Sequence, residues 1–461
     1  MADTGDARRK LPGVDKILER PEFDTFRGKV SNTRLSQIIR QEIEKARKSI
    51  EKGGEVQSVD SIAGRVFASV EDLLDASPKR VINCTGIILH TGLGRAPLSR
   101  GAIDSLLVSC GYCDLEVDMQ TGLRGNRQEK LQSLLAWLTG SEGALVVNNN
   151  AAALYLVLHE LASGKEVIVS RGQLIEIGGS FRLPEIMSRS GAKLVEVGTT
   201  NRTRADDFRS AIGRKSAMLL RAYPSNYRIE GFSESVSVAE LAKIARSHNL
   251  ICVDDLGGGL LWDWAKLGLP EEPNVTQSLE EGADLVLVSG DKVLGGPQAG
   301  IILGRKELIT KLRRSPLARI LRPGKLEIAA LASTLKSFLH PSRPSIEIPT
   351  WRMLTEPVAI TAARAEKLKQ KLGSHPRWTE LSVIESSAQA GSGTMPVTPL
   401  PSVAVSALPK SFSASRWAKQ LRNTDIPVIG IIKDEVVLFN MRTVADEEVE
   451  LLGEQILNSI K

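Results

Sequence analysis

The run Leu285-Val286-Leu287-Val288 passes without a break into Ser289-Gly290-Asp291-Lys292. Four aliphatic residues in a row read as a short strand covered on both faces, the kind found inside parallel sheets. The polar residues that follow stand at the carboxyl end of that strand, where open α/β sheets hold their ligands. A lysine placed there is partly desolvated, which lowers its proton affinity and exposes a nucleophilic amine. Ser289 can offer its hydroxyl to a phosphate, and Gly295-Gly296 lets the backbone bend close to a ligand. The same Ser-x-x-Lys spacing occurs in serine β-lactamases, but the Ser-Asp-Asn and Lys-Thr-Gly elements of those enzymes are missing here. By itself the spacing fits a solvated lysine equally well.

Upstream, further β-rich runs occupy 144–147, 166–169, 193–197, 218–220 and 250–253, with helical stretches such as Val238–Ser247 between them. Strands alternating with helices predict a mainly parallel α/β sheet over residues 79–335. Residues 1–78 read as a separate helical unit. Apolar residues recur at helical spacing near 14–18 and 35–39, and Gly53-Gly54 interrupts the pattern. Beyond the Pro-rich link His340-Pro341-Ser342-Arg343-Pro344, a helix over 358–372 and strands near 403–405 and 436–439 predict a smaller α+β domain, 336–461, with a turn-rich loop from 391 to 401.

Three more strand ends complete a constellation. Residues 250–253 lead into Asp254-Asp255-Leu256-Gly257, and a carboxylate is what a pyridinium nitrogen needs if the ring is to accept electrons from a carbanion. An Asp capping a turn before glycines is the plainer alternative. After 144–147 come Asn148-Asn149-Asn150-Ala151, a capped helix start whose free N–H groups form a ready anion site. After 218–220 comes Ser225-Asn226-Tyr227-Arg228, where Asn226 could reach a phenolate oxygen or merely form a turn. Taken together, the four predict a pyridoxal phosphate site. Lys292 forms the Schiff base, Asp255 meets the ring nitrogen, Ser289, Asn149, Asn150 and Ala151 hold the phosphate, and Asn226 lies at the ring oxygen. The layout resembles the coenzyme site of the aspartate-aminotransferase-like fold.

Composition bounds the rest. The 461 residues are 42% hydrophobic and 4% aromatic, so the core is aliphatic. No apolar run reaches the roughly 18 residues of a membrane span, and the polar start lacks a secretory leader, so the expected location is the cytoplasm. A net charge of +6 permits an acidic partner without requiring one. The segment 1–80 carries 16 Lys and Arg against 14 Asp and Glu, so it is no basic arm. Four cysteines make no disulfide scaffold; the Cys110–Cys113 pair has no second pair or nearby histidine to complete a zinc site and reads as ordinary buried thiols.

The chain also resembles one family throughout its length, bacterial selenocysteine synthase, or L-seryl-tRNA(Sec) selenium transferase. The resemblance rests on Leu11-Pro12-Gly13-Val14-Asp15, Ile82-Asn83-Cys84-Thr85-Gly86, His90-Thr91-Gly92-Leu93-Gly94-Arg95-Ala96-Pro97-Leu98 and Thr121-Gly122-Leu123-Arg124-Gly125-Asn126-Arg127. It continues through Glu176-Ile177-Gly178-Gly179-Ser180-Phe181-Arg182, Gly198-Thr199-Thr200-Asn201-Arg202-Thr203, Leu317-Ala318-Arg319-Ile320-Leu321-Arg322 and Ile348-Pro349-Thr350-Trp351-Arg352-Met353-Leu354. Its most specific part is Gly290-Asp291-Lys292-Val293-Leu294-Gly295-Gly296-Pro297-Gln298-Ala299-Gly300.

The resemblance implies a fold-type-I, pyridoxal-phosphate-dependent transferase acting on seryl-tRNA(Sec), with an N-terminal tRNA-recognition domain. It implies loss of the β-hydroxyl to an aminoacrylyl intermediate and addition of selenium from selenophosphate. Lys292 would carry the cofactor and, once freed, act as base toward the α-proton. Arg95, Arg319 and Arg322 would hold the donor's anion, as guanidinium groups do bidentately; without the resemblance, Arg319 and Arg322 read as one face of a surface helix. A homo-oligomer is implied, a decamer built as a pentamer of dimers with active sites at dimer interfaces. The chain departs from the family pattern at Gly92, Gln173, Tyr223-Pro224, Gly324 and Ile431. Two other readings compete: a pyridoxal phosphate lyase acting on a small amino acid or amino sugar acid, and a catalytically inactive tRNA-binding protein.

Overall fold

The computed structural model describes residues 11–177, 181–373, 377–395 and 398–460. Its backbone divides into two compact units, one ending at Arg80 and one beginning at Val81. In the first, helices α1 (Asn32–Glu51) and α2 (Val59–Leu74) each start on a serine, Ser31 and Ser58, whose side chain accepts a backbone N–H of the first turn. One stripe of α1, Leu35, Ile39, Ile43 and Ala46, buries against Ile62, Val66 and Val70 of α2. Phe26 meets Phe67 with ring centroids 4.8 Å apart, and Phe23 closes the cluster. Gly53 and Gly54 separate the helices, as the interrupted periodicity predicts.

The second unit is built on a seven-stranded sheet: β1 (Gly143–Val147), β2 (Glu166–Ser170), β3 (Lys193–Val197), β4 (Ser216–Ala222), β5 (Ile251–Gly257), β6 (Leu285–Ser289) and β7 (Gly300–Gly304), in spatial order β1-β7-β6-β5-β4-β2-β3. Neighbours from β6 through β3 run parallel, while β7 is antiparallel to both β6 and β1. Both faces are covered, and strand alternation shows it: Val286 and Val288 belong to one apolar cluster, Leu285 and Leu287 to another across the sheet. Strand β7 was not anticipated from its sequence, because its short apolar run is bounded by glycines. Those glycines are what let it slot in: a Cβ on Gly300 would stand 2.1 Å from the Asn149 carbonyl oxygen. Helix α3 (Asn150–Ala162) leaves β1 and packs under the sheet.

Helices α4 (Lys325–Ser337) and α5 (Val358–Leu372) lead to a four-stranded antiparallel sheet, β8 (Trp378–Ala388), β9 (Leu400–Pro409), β10 (Ile431–Lys433) and β11 (Val436–Asn440), ordered β8-β9-β11-β10. Helix α6 (Val449–Asn458) joins α5 over its buried face, with Trp417 and Phe439 between. The short strand Ile82–Asn83, where the large domain was expected to open, pairs instead with Val428–Ile429 of this C-terminal layer. The parts on either side of residue 336 therefore share one compact unit. Buried Arg364 is neutralised by Glu356 at 2.6 Å and Asp446 at 2.7 Å. The expectation of buried thiols at Cys110 and Cys113 is wrong: both are exposed, because the helix Arg100–Cys110 ends just where the chain turns outward. Among the described residues, no helix is long and apolar enough to cross a membrane.

Candidate active site

Lys292 sits in the tight connection between β6 and β7, pinned by two backbone bonds: Val293 N–H to the Gly258 carbonyl and Gly295 N–H to the Lys292 carbonyl. Only 8% of it is exposed, and burial pushes its amine below the ordinary lysine value, against the pull of nearby Asp255 and Asp291. Asp255 comes from β5. Burial raises its carboxyl to about 6, opposed by a hydrogen bond from Asn150 Nδ2 at 2.8 Å and by the Lys292 charge. Its neighbour Asp254 points to the other face of the strand, where Arg221 lies 3.1 Å away and Ser278 donates at 2.7 Å. Strand alternation thus separates two adjacent aspartates that the sequence could not tell apart.

At the start of α3, Asn149 caps the helix by accepting the Ala152 N–H at 2.9 Å. Ala151 and Asn150 face the same cavity of about 280 Å³ as Lys292, Asp255, Ser289 and Arg95. Arg95, in a left-handed backbone conformation, donates to Asp291 Oδ2 at 2.6 Å. Of the residues singled out in the sequence, Lys292, Asp255, Ser289, Asn149, Asn150, Ala151 and Arg95 therefore come together. Asn226 does not: it is exposed, with Nδ2 donating to the Glu176 carbonyl at 3.0 Å, and its neighbour Ser225 turns inward instead. Arg319 and Arg322 line a different cavity of about 300 Å³ with Arg124, Arg127, Arg313 and Glu116. Tyr223, noted in the sequence only as a departure from the family pattern, and Ser225, Asp291 and Gln298, quoted there within motifs but assigned no place in the site, also lie on the Lys292 cavity wall. The polar aromatic directly after β4 was the available signal for Tyr223.

Pyridoxal phosphate fits these residues. A buried amine faces a buried carboxylate, and a helix N-terminus offers N–H groups to a phosphate. The Asn150 Oδ1 is buried and unpartnered among the described residues. Gly257 keeps the space beside the amine open, since a Cβ there would lie 3.7 Å from Lys292 Nζ and 4.0 Å from Ser225 Oγ.

Fold and site together define a pyridoxal-phosphate-dependent enzyme of the aspartate-aminotransferase-like α/β class. Among solved structures, a D-glucosaminate-6-phosphate ammonia-lyase shares the fold with a TM-score of 0.58 at 19% identity, over 85% of this chain and 98% of its own. The chain belongs to the L-seryl-tRNA selenium transferase family, whose profile matches residues 81–445; a second profile, selenocysteine synthase N terminal, matches residues 8–47. The L-seryl-tRNA(Sec) selenium transferase of Carboxydothermus hydrogenoformans is 44% identical over 448 residues, 96% of this chain and 95% of its own length. That of Moorella thermoacetica is 41% identical over 459 residues, 98% and 97% of the two chains.

Proposed function

We propose that this chain performs the reaction its family is named for, converting seryl-tRNA(Sec) to selenocysteinyl-tRNA(Sec) with selenophosphate as selenium donor. The observation that carries the reading is the pairing of a desolvated Lys292 amine with the buried, Asn150-held Asp255 in one cavity, in a chain similar to the named transferases along nearly its whole length. Those relatives favour it over the small-molecule lyase, whose likeness to this chain is one of fold.

Pyridoxal phosphate, when bound, supplies an electron sink for the seryl α-carbon. Lys292 would hold its aldehyde, and the Lys292 amine would accept the seryl α-proton. Its lowered proton affinity suits that task at neutral pH. Asp255 keeps the ring nitrogen protonated, and Asn150 fixes the Asp255 carboxylate. Asn149, Asn150, Ala151 and Ser289 hold the phosphate. Arg95, Arg319 and Arg322 hold the donor's anion.

That Arg319 and Arg322 line a separate cavity supports a working site assembled between copies of the chain. Leu107, Val108, Tyr112, Leu123, Trp137 and Ile320 are exposed apolar residues that such contact would cover. The assembly proposed is a homo-oligomer, a decamer of five dimers. The helical N-terminal unit is proposed to recognise the tRNA, with Arg40, Arg47 and Lys48 lining a cleft beside Pro12 and Val14. An aminoacyl-tRNA substrate supports a cytoplasmic location for the reaction.

The deciding assay supplies selenophosphate with either seryl-tRNA(Sec) or seryl-tRNA(Ser) and identifies the amino acid released from each. Selenocysteine from the first alone is expected. Its absence from both, with cofactor bound, supports the small-molecule lyase. Native mass measurement and sedimentation check the assembly; a monomer would leave the arginine cavity without its partner.

A further inference from the structure

Elimination of water from a seryl group needs a proton at each end: one removed from Cα, one delivered to the departing oxygen. Hydroxide leaves badly at neutral pH unless an acid protonates it as the bond breaks. The residues assigned so far cover only the first need. Lys292 takes the α-proton, Asp255 serves the ring nitrogen, and Arg95 and Asp291 neutralise each other.

Tyr223 stands where the missing acid belongs. It follows β4 directly, and its backbone N–H donates to the Asp255 backbone carbonyl at 2.9 Å, which holds it next to the strand that carries Asp255. Tyr223 is one of the residues lining the Lys292 cavity. The phenol donates to Glu272 Oε2 at 3.2 Å, and Glu272 also accepts the Met395 backbone N–H. The Arg221 guanidinium lies 5.5 Å from the Tyr223 ring centroid.

We propose that Tyr223 is the catalytic acid that protonates the departing seryl hydroxyl, and that Glu272 is the positioning residue that holds its phenol. This rests on the function proposed above. The step balances: the Cα–H proton goes to the Lys292 amine, the Cβ–O bond breaks with its electron pair on oxygen, and that oxygen takes the Tyr223 proton and leaves as water. The phenolate is reprotonated by solvent, so one water is lost and no oxidant is needed. Burial and the Glu272 charge push the phenol up to about 12, and burial raises the Glu272 carboxyl as well. A phenol there stays protonated at neutral pH yet remains a stronger acid than water.

The test compares leaving groups. Full-length, cofactor-loaded wild type, Tyr223→Phe, Glu272→Gln and Ser225→Ala are given seryl-tRNA(Sec) or β-chloroalanyl-tRNA(Sec) without a selenium donor. Pyruvate released on deacylation measures elimination, and loss of α-deuterium measures proton abstraction. Tyr223→Phe is expected to slow elimination from the seryl substrate by about 100-fold or more while changing chloride loss, which needs no acid, by less than about threefold. In cofactor-free protein, Glu272→Gln removes a negative charge beside the phenol, so ultraviolet titration should show the Tyr223 ionisation falling from about 12 toward the ordinary tyrosine value. Equal slowing of both substrates, no slowing of either, an unmoved phenol, or the split appearing in Ser225→Ala instead would each overturn the assignment. A wild type that neither exchanges the α-deuterium nor eliminates from seryl-tRNA(Sec) would overturn the parent function, and this inference with it.

Discussion

The two cavities of the large unit differ in how their charges are met. Around Lys292, two cations and two anions line the wall, Lys292 and Arg95 against Asp255 and Asp291, nearly all out of water. Around Arg319, five arginines face the single carboxylate Glu116, which is already engaged by Arg124 at 2.7 Å and by Arg127. Buried charge has to be balanced inside the protein, whereas a surplus at the surface is tolerated and draws anions. The first cavity is equipped for bond chemistry within one chain. The second is equipped to capture a negatively charged group and has nothing of its own to do with it.

Breaking the first cavity should have the largest effect. Lys292→Ala is expected to abolish the cofactor's visible absorption and to lower turnover by about 1,000-fold or more; absorption that survived would put the cofactor-bearing lysine elsewhere. Damage to the second should be selective. Arg319→Ala and Arg322→Ala are each expected to lower kcat/KM for selenophosphate by roughly 10- to 100-fold, the value of one charge-assisted hydrogen bond. Cofactor absorption and α-deuterium exchange should stay at wild-type levels, because neither uses the donor.

Asp255→Asn sharpens the comparison through pH. The folded carboxyl is raised from 3.8 to about 6, so the folded state favours the protonated form. The stability tied to that proton is complete below pH 4 and is lost as pH rises through 6. In cofactor-free protein at pH 8 the ionised group costs on the order of 3 kcal/mol. Asp255→Asn should therefore be inactive yet melt higher than wild type at pH 8, with the gap closing near pH 4; an identical gap at both values would remove Asp255 as its source. Asn150→Ala should show the smallest effect. Without its donor, Asp255 titrates still higher, and cofactor affinity is expected to fall by about tenfold as one hydrogen bond is lost.

Much of the Lys292 site was legible because each part stands at the end of an apolar strand, and strands of this kind announce themselves by composition. Asp255 and Lys292 were readable by that rule, and so was the Asn149–Ala151 helix start. Position within a turn was not readable. Asn226 has the more suggestive side chain, but the backbone after Tyr223 turns Ser225 toward the cavity. The run 300–304 escaped notice because its role depends on two neighbours far apart in sequence, β1 and β6. Gln173, flagged as a departure from the family pattern, accepts the Ala222 N–H at 3.2 Å, so its visible task is to brace β4 below the site. The role proposed for Arg319 and Arg322 rests on family resemblance, and no local pattern in a short helix distinguishes an anion clamp from a solvated face.

The pairing of Ile82–Asn83 with Val428–Ile429 sets an order of events during synthesis. The strand that opens the large unit waits for a partner made far later in the chain, so this layer cannot close until Val428–Ile429 has been synthesised. Gly86 to Leu89, which lead to Arg95, are held by the same C-terminal layer through backbone bonds to Gln389 and Ala390. A chain cut short before Val428 would keep every residue of the Lys292 cavity and still lack the first of the anchors that carry Arg95 into it.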